Sequence, residues 1–102
     1  MSVSCCYLQP ALRRPNLNIV TEVPVRRVVL DGRRCTGVVY ERWGKRIKVR
    51  ADREVILSAG AIATPQLLEL SGVGRPEILK AHGIPVAHAL PAVGENFRDH
   101  IN

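Results

Sequence analysis

Aromatic side chains are scarce: one Trp, two Tyr and one Phe in 102 residues, too few for a surface that stacks successive bases. Cysteine is scarce too. Cys5, Cys6 and Cys35 are odd in number, with no C-x-x-C spacing and no nearby paired histidines, so neither a disulfide framework nor a zinc site is indicated. No stretch approaches the roughly 18 apolar residues of a membrane-crossing helix, and residues 1 to 12 lack a charged segment followed by an apolar one. A soluble, cytoplasmic protein is the expectation. Phosphate-binding glycine loops are missing as well. Gly72-Val73-Gly74 begins a dinucleotide fingerprint, but Glu77 stands where its third glycine belongs, and Gly44-Lys45 is followed by Arg46 without the upstream glycine of a P-loop.

What is present is ordinary globular material, with hydrophobic residues at 46% and charged residues at 24%. A chain of this length supports one core. It also leaves much surface uncovered, so a piece of a larger body would expose apolar faces meant for its neighbours. The net charge of +6 is uneven: residues 1 to 53 carry 12 Lys or Arg against 4 acids, whereas residues 54 to 102 carry 3 against 5. The doublets Arg13-Arg14, Arg26-Arg27 and Arg33-Arg34, with Lys45-Arg46, Lys48 and Arg50, would either attract a polyanion or simply occupy the solvated positions of strands and turns.

The order of elements follows from turn chemistry and periodicity. Pro15 ends or turns the Leu8 to Leu12 segment. Val25 to Leu30 is a β-branched run preceded by Pro24, a residue suited to an edge or a bulge. Asp31-Gly32 predicts a hairpin into a second strand over Cys35 to Glu41, and Trp43-Gly44 a turn into a third, where Ile47 and Val49 alternate with Arg46, Lys48 and Arg50. Val55-Ile56-Leu57 is continuously apolar and reads as a strand buried on both faces. Thr64-Pro65 predicts a helix N-cap and first position for a helix ending at Ser71-Gly72. A second short helix is expected from Pro76 to His82, stopped by Gly83, with extended chain over Ile84 to Leu90. The fold class is α+β: a three-stranded meander, one buried strand, two short helices and a proline-bounded tail.

For chemistry, the informative feature is the junction Leu57-Ser58-Ala59-Gly60-Ala61. Small residues there either admit a ligand close to the backbone or allow a helix to pack tightly on a sheet. His82, beside a helix-stopping glycine, suits a C-terminal cap. His88 lies among Ala87, Ala89 and Leu90, as a core or rim residue would, and Asp99-His100 is an acid and histidine pair in sequence only. No catalytic residue and no metal ligand is assigned.

Gly60-Ala61-Ile62-Ala63-Thr64-Pro65-Gln66-Leu67-Leu68-Glu69-Leu70-Ser71-Gly72-Val73-Gly74 resembles the second signature of the glucose-methanol-choline oxidoreductases at every position. The flanks are similar to that family as well: Tyr7-Leu8, Pro10-Ala11 and Arg14-Pro15-Asn16-Leu17 before it, Val93-Gly94-Glu95-Asn96-Phe97-Arg98-Asp99-His100 after it. The resemblance implies a fragment, residues 1 to 102, of a Rossmann-like FAD-binding domain that is α/β in the full-length family, with residues 91 to 102 leading toward a substrate domain. It implies FAD as cofactor, hydride transfer from the CH–OH group of a small alcohol, and cofactor proximity for Val25, whose backbone would meet the adenine, and for Ser58, Ala59 and Gly60. Asn96, Asp99 and His100 would lie in the loop toward the substrate domain without a chemical step. The family's N-terminal glycine fingerprint and C-terminal catalytic histidine are not in the sequence, so the chain is expected to be inactive alone, or to complement a partner chain carrying those regions. The other class of function left open is a stand-alone basic module that binds nucleic acid.

Overall fold

The computed structural model describes residues 4–98. The chain enters through a single π-helical turn, Ser4–Leu8, and the short helix α1, Gln9–Ala11. Extended chain then leads to the strands β1 (Val25–Asp31), β2 (Arg34–Arg42) and β3 (Lys45–Arg50), an antiparallel sheet in that order.

Both hairpins are dictated by their turn residues. Asp31 pairs with Arg34 and Arg42 with Lys45, leaving two-residue loops. In the second loop Trp43 and Gly44 have φ of 52° and 74°, the left-handed pair that matches the twist of the flanking strands. Trp43 is 88% exposed at this tip, and the Arg42 guanidinium lies over its ring at 4.5 Å. Pro24 stands as its chemistry requires, at the outer end of an edge strand. Its carbonyl accepts the Glu41 N–H at 2.9 Å, and the register slips immediately afterwards, between Val25 and Arg27.

Two helices and a short parallel pair complete the molecule: α2 (Ala63–Leu70), β4 (Val73–Gly74), α3 (Pro76–Ala81) and β5 (His88–Ala89), with β4 and β5 side by side. The buried apolar residues among those described are Val28, Val39, Leu67, Val73 and Leu79, and the contact between the two halves of the molecule is made by α2 on β1. One hydroxyl joins these two halves. Ser71 Oγ accepts the N–H of Val28, on the outer edge of β1, at 2.8 Å and donates to the Leu67 carbonyl of α2 at 2.7 Å.

Three local expectations differ from the structure. Residues 55–57 form no strand, and Ile56 is 76% exposed; a buried strand exists by pairing on both sides, and no neighbouring strand flanks this one among the described residues. Helix α2 begins two residues earlier than Thr64 as a cap would place it, with Ile62 at the cap position and no side-chain cap. Thr64 instead accepts the Ala59 N–H at 2.9 Å, and Pro65 falls in the first turn, where a missing N–H leaves no bond unmade. The β4–β5 pair arises in segments that read as turn and tail. Gly72 makes it possible, because its carbonyl accepts both the Ala87 and His88 N–H groups, and a Cβ at this position would stand 2.5 Å from the Pro85 oxygen.

Candidate functional site

The site is built at the loop that enters α2. Thr64 fixes that loop from the helix side through the Ala59 N–H, while the Thr64 N–H donates to the Gly60 carbonyl at 3.1 Å. Gly60 itself has φ of 99°, a conformation open to glycine and strained for any other residue. A Cβ added there would meet nothing within 4 Å. Glycine is therefore required by backbone conformation, and the space beside it is open to a ligand.

The tail delivers the opposite wall. Leu90 N–H donates to the Gly74 carbonyl at 2.9 Å, and the Arg75 guanidinium holds the Glu95 carboxylate at 2.9 Å. The chain turns back so that Phe97 and Arg98 face the loop. Together Ala59, Gly60, Ala61, Ile62, Ala63, Phe97 and Arg98 line a cleft of about 640 Å³. Four of the seven carry at most a methyl group, so a flat ring could approach the backbone closely. Phe97 and Ile62 are apolar and largely exposed, and Arg98 adds one positive charge.

Of the residues expected at a cofactor site, Ala59 and Gly60 line this cleft and Ser58 precedes it, exposed, in the same loop. Val25 is elsewhere, at the start of β1 opposite Tyr40, with 44% of its surface exposed. Phe97 and Arg98 carry no local pattern that announces them; only the fold of the tail brings them across. Asp99 and His100 lie outside the described residues.

A second, smaller cavity of about 210 Å³ contains both an acid and an imidazole, being lined by Gln66, Glu69, Leu70, Ile78, Leu79, His82 and Ile84. His82 has a backbone partner at one nitrogen. Its Nδ1 lies 2.9 Å from the Ile78 carbonyl, which can only accept, so this nitrogen carries the hydrogen and caps the last turn of α3 as its position in the sequence implies. Among the described residues no group of three His, Cys, Asp or Glu side chains gathers where a metal could be held, and no helix is long and apolar enough to cross a membrane.

A family profile described as GMC oxidoreductase matches residues 1–102, the whole chain. The chain belongs to the GMC oxidoreductase family. Oxygen-dependent choline dehydrogenase 1 of Chromohalobacter salexigens is 54% identical over 95 residues, which is 93% of this chain and 17% of that protein. Among solved structures, pyridoxine 4-oxidase from Mesorbium loti matches with a TM-score of 0.87 and 35% identity over 98% of this chain and 20% of that one. Formate oxidase matches with a TM-score of 0.83 and 42% identity over 86% and 16%. The chain thus spans less than a fifth of the curated relatives it matches. An FAD-dependent oxidoreductase from Chaetomium thermophilum matches with a TM-score of 0.84 and 35% identity over 89% and 16%, and the formate oxidase of Aspergillus oryzae carries a modified FAD. The α+β arrangement of meander, parallel pair and short helices is shared with these structures.

Whether the residues of this chain suit FAD can be judged from the cleft itself. The glycine-only backbone at Gly60, the methyl-sized lining and the single cation fit one wall of such a site. They do not enclose it: Ala59 to Ala63, Phe97 and Arg98 are all exposed to solvent.

Proposed function

We propose that this chain is the cofactor-lining segment of an FAD-dependent oxidoreductase acting on the CH–OH group of a small alcohol, and that alone it does not turn over. The observation that carries the reading is Gly60: a backbone only glycine adopts readily, with open space where a side chain would stand, at the head of the cleft.

Bound FAD would supply the acceptor for a hydride from the alcohol carbon. The residues of this chain do the binding side of the work. Ser58, Ala59 and Gly60 let the cofactor reach the backbone, Phe97 and Ile62 exclude water, and Arg98 balances negative charge. Val25 offers strand backbone N–H and C=O at the edge of β1, the groups that would meet an adenine. None of the residues lining the cleft is a base that could take the proton of a substrate hydroxyl, and His82 lies in the other cavity. Catalysis at this cleft therefore requires groups from beyond its lining, in the same polypeptide or in a partner chain. Residues 91–102 lead toward a substrate domain in this reading, and the protein is cytoplasmic.

Titration of the purified chain with FAD, followed by flavin fluorescence and by desalting, tests the reading. A weak, reversible signal that Gly60→Val removes, with flavin lost on desalting and no oxidation of choline or a simple alcohol, is expected. Flavin retained at one per chain would overturn the incompleteness of the site. An equal signal from Gly60→Val would overturn its location.

A further inference from the structure

The two edges of the meander differ in how their backbone groups are satisfied. On β1 the outward N–H of Val28 is taken by the Ser71 hydroxyl, and α2 packs alongside. On β3 nothing comparable occurs among the described residues, and the direction of each peptide follows from one hydrogen bond. Ala51 N–H donates to the Thr36 carbonyl at 2.8 Å, so in this antiparallel ladder the bonded pairs continue every second residue, through Val38 and Val49, Tyr40 and Ile47, and Arg42 and Lys45. The N–H and C=O groups of Arg46, Lys48 and Arg50 therefore point away from the sheet. The same three residues carry three of the four cations of β3 and share one face because side chains alternate; the fourth, Lys45, lies on the opposite face. The acid opposite Arg46 is Glu41, already paired with Arg26 at 2.6 Å. Ile47 and Val49 occupy the other face, with Val49 45% exposed.

From this juxtaposition we propose that β3 is a docking edge for an extended segment of a different protein chain in which acidic residues alternate with apolar ones. An incoming strand bonds to the outward peptides of Arg46, Lys48 and Arg50, which sets its own residues directly opposite them. Acids at those positions pair with the cations, and the intervening apolar residues extend the Ile47 and Val49 face. A second copy of this chain does not fit. Any regular antiparallel pairing of β3 with itself must join outward residues to outward residues, so a cation always faces a cation, Lys48 against Lys48 or Arg46 against Arg50, an arrangement that blocks edge-to-edge association. Among the described residues the Glu54-Val55 stretch is too short in alternation to serve.

The test uses the whole 102-residue chain and a fluorescent peptide of about eight residues alternating Glu and Val, the length of an ordinary strand, read by anisotropy. A second peptide is N-methylated at alternate residues and cannot complete the ladder. Binding of the first peptide is expected to be saturable, weakened by salt, and about tenfold tighter than that of the second, a difference worth one hydrogen-bonded edge. Lys48→Pro removes an outward N–H that β2 does not use, so the sheet persists by circular dichroism while peptide binding falls by about tenfold. Lys48→Gln, which keeps the N–H, loses only a few-fold. Equal affinity for the two peptides, or no loss with Lys48→Pro, would reduce the edge to a patch of charge and overturn the proposal. So would a salt-insensitive dimer of the chain that Lys48→Pro disperses, since the occupant would then be a second copy.

Discussion

At the scale of single residues, Ser71 does the most for its size. Its oxygen accepts from Val28 and its hydrogen goes to Leu67, so one hydroxyl satisfies a sheet edge and a late carbonyl of α2 together. Val28 is 3% exposed, and water has little access to replace the lost acceptor. Ser71→Ala is therefore expected to lower the unfolding free energy by about 1–3 kcal/mol, the cost of leaving a buried donor without a partner. Urea denaturation checks this, and an unchanged midpoint would mean that solvent reaches the Val28 N–H. Gly60 illustrates a different kind of legibility. Its need for small, flexible backbone was readable from the Ser58 to Ala63 run, whereas Ser71 reads in sequence as a helix stop and nothing in its neighbours points to a strand some forty residues earlier.

The element scale divides along the same line. The meander was legible because its determinants are local: Asp31-Gly32 and Trp43-Gly44 set the turns, and the alternation of Ile47 and Val49 with cations sets the third strand. The short parallel pair was not, since Val73 and His88 come together through the hydrogen bonds of Gly72 rather than through strand propensity. The run at 55–57 was misread for the complementary reason, its apolar character being that of a strand whose neighbours are absent from the described residues. The cleft shows both cases, with Ala59 and Gly60 visible in the sequence and Phe97 and Arg98 placed only by the folding of the tail. Gly37 offers the sharpest test at this scale. It is a buried glycine in the middle strand, with no positive φ, and a Cβ there would collide with the Val49 carbonyl oxygen. Gly37→Ala must push β3 away from β2 and is expected to cost about 1–3 kcal/mol. Amide hydrogen exchange should show the loss concentrated in residues 45–50; uniform destabilisation would mean that the hairpin absorbs the methyl group.

For the whole molecule, two quantities agree. The chain exposes 8727 Å², where a compact monomer of its mass would expose about 5,700 Å² by the usual scaling of surface with size. Its radius of gyration is 15.9 Å, against about 13 Å for a compact domain of a hundred residues. Large apolar side chains contribute to the excess: Tyr7, Trp43, Ile56, Ile62 and Phe97 are each more than half exposed. The five buried apolar residues among those described are a small core to set against the entropy of ordering the rest. Part of the surplus surface lies at the cleft, at Ile62 and Phe97, and at the unpaired run around Ile56, which is where the proposed function calls for further protein and cofactor. Two consequences are expected of the isolated chain: strong enhancement of ANS fluorescence under native conditions, and a broad thermal transition in place of a sharp one. If the chain instead leaves the dye dark and melts sharply, the exposed faces are closing on one another in solution, and the cleft at Gly60 would then be filled by the chain itself rather than left open for FAD.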